Sequence, residues 1–123
     1  MALRVLIVDD NGAFLDAARV LLEREGLSVI GVASTGAEAL RRAKELSPDV
    51  LLVDITLGRE SGIDLTRRLI QDGRCKGSPV ILISTHSEAD FADLIAASHA
   101  AGFVPKSELS AEAIRRIVDG RSP

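Results

Sequence analysis

Three carboxylates, a hydroxyl and an ammonium follow short apolar runs in this sequence, and together they suit phosphoryl chemistry. Val5-Leu6-Ile7-Val8 leads into Asp9-Asp10, Val50-Leu51-Leu52-Val53 into Asp54, and Val80-Ile81-Leu82-Ile83 into Ser84-Thr85. The shorter Phe103-Val104 run is followed by Pro105 and Lys106. Each position alone has an ordinary reading. An aspartate after a strand usually caps the next helix, and a single lysine is usually solvated. Their recurrence at successive run ends reverses that reading. Three close carboxylates repel one another and raise their own pKa values. A hard divalent cation bound through oxygen relieves the repulsion, and Mg²⁺ suits a site with few carboxylates and several retained waters. Cation, lysine and hydroxyl can then clamp the oxygens of a transferring phosphoryl group. One carboxylate can accept that group as an acyl phosphate.

The elements around these residues must bring them to one edge. Four-residue apolar runs rich in β-branched residues read as strands buried on both faces; residues 28–33 and Phe103-Val104 are two weaker strands. Between them lie helices with readable ends. Phe14, Ala18, Leu21 and Leu22 form one inner stripe, ended by Gly26. Thr35 to Glu38 is a capping box ahead of Leu40, Ala43 and Leu46. Ser61 precedes a helix bearing Leu65 and Leu69 that Gly73 closes, and Ser87 begins one with Phe91, Leu94 and Ile95 that stops at Gly102. Ser110 caps the last, with Ile114, Ile117 and Val118 on one face before Gly120. Five strand–helix units with right-handed crossovers give an α/β, doubly wound parallel sheet. Ligands of such sheets bind beyond the carboxyl ends of the strands, where the chemical residues stand.

Composition narrows the function classes. The 123 residues, 46% hydrophobic and 27% charged, are expected to form a single domain over 1–123, without a fused output module. Only 2% are aromatic, so no stacking surface for single-stranded nucleic acid exists. Fifteen Lys and Arg against 18 Asp and Glu give a net charge of −3, which disfavours phosphate backbones. A single cysteine, Cys75, excludes an internal disulfide and a multi-cysteine zinc site. The apolar stretch before Asp9 is too short for a signal peptide or a membrane span, so a cytoplasmic protein is expected.

Five segments carry a family resemblance: Leu6-Ile7-Val8-Asp9-Asp10-Asn11, Leu52-Val53-Asp54-Ile55-Thr56-Leu57, Gly62-Ile63-Asp64-Leu65, Pro79-Val80-Ile81-Leu82-Ile83-Ser84 and Gly102-Phe103-Val104-Pro105-Lys106. In this order and spacing the chain resembles the receiver domain of bacterial two-component response regulators, from about Leu3 to Val118. The resemblance implies a flavodoxin-like five-stranded sheet of order 2-1-3-4-5 with five helices. It makes Asp54 the phosphoacceptor, and Asp9, Asp10, Asp54 and the backbone carbonyl of Thr56 the ligands of Mg²⁺. It gives Ser84 the place of the switch hydroxyl, Lys106 the phosphate-pairing role, and Phe103 that of the aromatic that turns inward on activation. Thr56 and His86 would flank the path of the water that removes the phosphate. The donor would be a phosphohistidine on a sensor histidine kinase or phosphotransfer protein. The output protein is unknown, and a dimer through the fourth and fifth helices is compatible with the family. The protein would assist its own phosphorylation without being an enzyme.

The chain departs from the family pattern at Gly58, where Pro is usual and a more mobile loop is expected, and at Ser107, where Pro is common after the lysine. The Gly-Phe-Val-Pro-Lys-Ser stretch resembles the subfamily carrying LuxR-type DNA-binding domains, with no such domain expected in this chain. Rival readings fit less well. A haloacid-dehalogenase-type phosphatase wants a second acid two residues after its nucleophile, where Thr56 stands. A cysteine phosphatase needs Arg six residues after Cys75, where Ile81 stands, and no P-loop lysine motif is present. A flavin or nucleotide binder would be repelled by Asp9-Asp10. A degenerate or phosphate-sink receiver used as a docking module, or a phosphoaspartate phosphatase-like enzyme, is the remaining alternative. His99 reads as a helix-end surface residue, and neither His has a partner at metal-ligand spacing.

Overall fold

Each apolar run becomes a parallel strand because helices cover both of its faces. The computed structural model describes residues 2–71 and 78–120. Its elements begin β1 (Arg4–Val8), α1 (Gly12–Arg24), β2 (Ser28–Ala33), α2 (Gly36–Leu46) and β3 (Val50–Asp54). A small ribbon, β4 (Thr56–Leu57) with β5 (Glu60–Ser61), then precedes α3 (Gly62–Gln71). The chain continues through β6 (Val80–Ser84), α4 (Ala92–Ala97), β7 (Gly102–Pro105) and α5 (Ala111–Gly120). The main sheet has the order β2-β1-β3-β6-β7, all parallel, which is the doubly wound order that the family resemblance implies. Gly73, Cys75 and residues 121–123 lie outside the described residues.

Strand parity divides the core. Leu6, Val8, Leu51, Val53, Val80 and Leu82 pack with α2, α3 and α4, while Val5, Ile7, Val50, Leu52, Ile81 and Ile83 pack with α1 and α5. The same alternation places the chemistry. Asp54 shares the parity of Val50 and Leu52, and Asp9 and Lys106 continue that of Ile7 and Val104. All three therefore emerge on the α1/α5 side of the sheet edge. Ser84 and Phe103 have the opposite parity, toward α4.

Several local expectations are corrected. The inner stripe of α1 is Leu15, Ala18 and Leu22; Leu21 is 37% exposed and Phe14 half-buried. Apolar residues nearly encircle this helix, so spacing alone left its phase open. The capping box closes differently: Glu38 N–H donates to Thr35 Oγ1, but the Glu38 carboxylate accepts from Ser34 N–H instead of Thr35. The fourth helix is shorter than its pattern, with a 3-10 turn at Glu88–Phe91 before α4, and Leu94 stands exposed. It ends where Ser98 Oγ donates to the Ile95 carbonyl and His99 turns left-handed at φ 65°.

The loop after Asp54 forms a hairpin. Gly58 has φ +60° at its first turn position, which proline, locked near −65°, cannot adopt. That is the type II′ arrangement matched to strand twist. Beyond the hairpin α3 returns very close to β3. A Cβ on Gly62 would stand 1.8 Å from the Asp54 carbonyl oxygen, and Gly62 N–H donates to the Ile55 carbonyl at 2.8 Å. Only glycine permits this approach. Gly62→Ala should therefore destabilise the fold by about 3 kcal/mol or more through backbone displacement. Gly12, where an added Cβ meets nothing within 4 Å, is the control. Gly12→Ala should stay within about 1 kcal/mol of the parent in urea unfolding.

Candidate functional site

The carboxyl ends of β1, β3 and β6 and the residue after β7 open onto a cleft of about 360 Å³. Asp9, Asp10, Asp54, Thr56, Ser84, His86 and Lys106, all expected at the site, line it. Thr85, Asn11 and Gly58 complete its wall. Phe103 does not reach the cleft; it is half-buried against the core on the α4 side.

Burial gives this cluster its electrostatics. Asp9 is fully buried and Asp54 is 6% exposed, whereas Asp10 faces solvent. Backbone amides hold both buried carboxylates: Asn11 N–H donates to Asp9 Oδ1 at 2.9 Å and Thr56 N–H to Asp54 Oδ1 at 3.2 Å. Lys106 Nζ stands 2.6 Å from Asp9 Oδ2 and 3.3 Å from Asp54 Oδ2. The shorter contact is an ion pair off the hydrogen-bonding direction, so Asp9 Oδ2 remains a buried oxygen without an aligned donor. One carboxylate oxygen from each of Asp9, Asp10 and Asp54 lies within 4.8 Å of the others. Among the described residues, three negative charges thus face one positive charge. A hard dication fits the donor set.

Lys106 has a third neighbour that the sequence reading assigned to the core. Its ammonium lies 4.4 Å from the centroid of the Phe14 ring, a cation–π contact from α1. Behind the lysine a 3-10 turn, Lys106–Glu108, leads to buried Leu109. Ser84 Oγ, 2% exposed at residue level, accepts the His86 N–H at 3.0 Å. The His86 ring instead rests edge-on against Phe91, with centroids 5.9 Å apart. Ser84 and His86 meet through backbone, so they are no nucleophile–base pair. Asn11 was also missed as a positioning residue, although a short polar residue before a helical pattern is a cap signal. Its side chain accepts the Phe14 N–H at 3.1 Å.

Burial first, and then the charge of Asp9, raise the Asp54 pKa above its ordinary 3.8, while Lys106 and the Thr56 amide oppose the rise. For Lys106 burial opposes the charged form. Its contact with Asp9 and the charges of Asp54 and Asp9 outweigh burial and raise its pKa above 10.5. The signs follow by linkage. The lysine's contribution is complete below pH 10.5 and is lost only as pH rises through the folded value. Ionised Asp54 destabilises the fold at neutral pH, and acidification through its raised pKa relieves this. Asp54→Asn should therefore melt a few degrees higher than the parent at pH 7. The gap should shrink on acidification and close below pH 3.8, as thermal unfolding across pH would show.

Comparison with known proteins agrees with this geometry. The response regulator receiver domain family matches residues 5–119. The response regulator GacA of Pseudomonas viridiflava is 33% identical over 116 residues, covering 94% of this chain and 53% of its own length. BvgA of Bordetella pertussis is 36% identical over 107 residues, 85% of this chain and 49% of BvgA. The chain thus spans about half the length of these curated relatives. Among solved structures, the signal receiver domain of NarL from Mycobacterium tuberculosis superposes with a TM-score of 0.85 at 28% identity, covering 98% of each chain. A LuxR-family response regulator from Aurantimonas sp. SI85-9A1 gives 0.82 at 29% identity, over 98% of this chain and 88% of that one. The doubly wound sheet, the acidic cleft at its carboxyl edge and the match over residues 5–119 establish that the chain belongs to the response regulator receiver domain family of two-component systems.

Proposed function

We propose that residues 1–123 act as one receiver domain in which Asp54 accepts a phosphoryl group from a phosphohistidine donor. The donor is a sensor histidine kinase or phosphotransfer protein, in line with the family's general use of histidine kinases. The observation carrying this reading is the position of Asp54. It ends the central strand β3, nearly buried, with Lys106 Nζ at 3.3 Å and the carboxylates of Asp9 and Asp10 within ligand distance of its own.

A carboxylate oxygen of Asp54 attacks phosphorus as the phosphorus–nitrogen bond of the donor breaks. The electron pair leaves with the imidazole, and an aspartyl phosphate forms. Lys106, held by its contacts with Asp9 and Phe14, pairs with the phosphoryl oxygens in this reading. Ser84 can donate its hydroxyl hydrogen to the same group while it accepts from His86 N–H. Asp9, Asp10, Asp54 and the Thr56 carbonyl would hold Mg²⁺, which when bound neutralises charge that the attacking carboxylate and the incoming phosphoryl group share. Thr56 and His86 line the cleft and flank the approach of hydrolytic water, so they set the lifetime of the phosphate.

The switch would run from Ser84 to Phe103, which share the α4-facing side of the sheet edge. Its output is a protein contact on α4, β7 and α5, through an unidentified partner or a dimer. The domain is a phosphoacceptor, not a turnover enzyme, and works in the cytoplasm. The complete set of acids with Lys106 favours a working receiver over a docking module that has lost the chemistry.

Acetyl phosphate with Mg²⁺ should add one phosphoryl mass to the protein, and Asp54→Asn should add none. Stoichiometric uptake at the cleft in Asp54→Asn would reject the assignment. Removing the Lys106 ammonium by Lys106→Ala should slow uptake at least 10-fold, in the range of a lost charge-stabilising donor.

A further inference from the structure

Glu60 stands on the hairpin after the phosphoacceptor strand, yet its side chain turns from the cleft toward α2. Its Oε2 accepts the backbone N–H of Gly36 at 2.7 Å. Gly36 is buried and opens α2, so its N–H is among those that a helix cannot satisfy internally. A carboxylate there also meets the positive end of the helix dipole. The fit is close: a Cβ on Gly36 would lie 3.0 Å from Glu60 Oε2 and 3.3 Å from Oε1.

The other end of the contact reaches the cleft. Glu60 pairs with Leu57 and Ser61 with Thr56 across the hairpin, and Thr56 N–H donates to Asp54 Oδ1 at 3.2 Å. The turn residue Gly58 comes close to Asp10, whose Oδ2 would be 3.5 Å from an added Cβ. A two-stranded ribbon of this size does not hold its shape alone. Leu57, 2% exposed, anchors its first strand in the core. The second strand is exposed: buried Gly62 anchors its far end through the Ile55 carbonyl, and Glu60 ties its turn-proximal end to α2.

We propose that Glu60 is a positioning residue that latches the hairpin to the first turn of α2, and so keeps the Thr56 peptide and Gly58 at the acidic cleft. Its consequence for phosphorylation rests on the function proposed above; the latch itself is measurable without phosphate. Loss of the latch lets the hairpin drift, which weakens Mg²⁺ binding while leaving Asp54 and Lys106 in place. The effect is therefore on metal affinity more than on maximal rate.

A double-mutant cycle on Glu60→Ala and Gly36→Ala tests this from both ends of the contact. The three atoms nearest an alanine Cβ at this buried helix start all belong to the Glu60 carboxylate, so Gly36→Ala acts chiefly by displacing that carboxylate. Each single variant should weaken Mg²⁺ binding, read by calorimetry, on the order of 10-fold. The double variant should weaken it no further. Glu60→Gln keeps an acceptor oxygen and should stay within about 3-fold of the parent. In Glu60→Ala the Gly36 amide should exchange faster with solvent, and phosphorylation should need more Mg²⁺ for half its rate while reaching a similar maximum. Additive effects would overturn the latch, as would unchanged Mg²⁺ affinity in Glu60→Ala despite faster Gly36 exchange. A parent protein that follows the Mg²⁺ cycle but accepts no phosphate would uphold the latch and reject the phosphoacceptor reading. No Mg²⁺ binding by the parent would reject both.

Discussion

The site depends on an imbalance of buried charge. Asp9 and Asp54 are withdrawn from water and, among the described residues, share a single ammonium, that of Lys106, at 2.6 and 3.3 Å. Asp10 adds a third negative charge at the rim. One cation cannot neutralise three carboxylates. The upward pull on the Asp54 pKa, from burial and from Asp9, is the direct expression of that deficit. A domain that merely needed stability would replace such a cluster by apolar side chains. In the function proposed above, the missing positive charge would come from a bound cation.

The rest of the fold serves to hold that imbalance in place. Parallel strands buried on both faces end at a common edge, and their alternation sends Asp9, Asp54 and Lys106 to one side. The peptide planes behind Asp54 are fixed by two local devices. Gly62 lets α3 rest directly on the Asp54 carbonyl, and the β4–β5 hairpin returns the Thr56 amide to the carboxylate. On the other side, the Phe14 ring and the turn at Lys106–Glu108 direct the lysine inward. Ser84 and Phe103 have the opposite parity and face α4, so in the function proposed above they would couple the cleft to that side of the sheet.

Much of this was legible in the sequence. Strands buried on both faces are continuous apolar runs, so β1, β3 and β6, and the residues just beyond them, could be read directly. The edge strands β2 and β7 are half-exposed and gave weaker patterns. Gly26, Thr35, Ser61 and Ser110 marked helix ends because capping is local chemistry. The phase of α1 was not legible, since Phe14, Leu15, Leu21 and Leu22 offer more apolar positions than one face can bury. Contacts across long sequence distances were invisible for the same physical reason that makes them matter. Nothing local announces that Glu60 meets Gly36, that Phe14 lies beneath Lys106, or that Gly62 must admit the Asp54 carbonyl. Nor did Gly58 by itself announce the two-residue turn that holds it at positive φ.

The charge deficit is the central claim, and Mg²⁺ titration of the unphosphorylated protein measures it most directly. At pH 7 the melting temperature should rise with Mg²⁺ along a single-site saturation curve, because an ion bound only by the folded state stabilises it by mass action. Asp10→Ala, which removes an exposed carboxylate and no packing, should shift that curve to higher concentration. A melting temperature indifferent to Mg²⁺, or a curve identical in Asp10→Ala, would contradict the account.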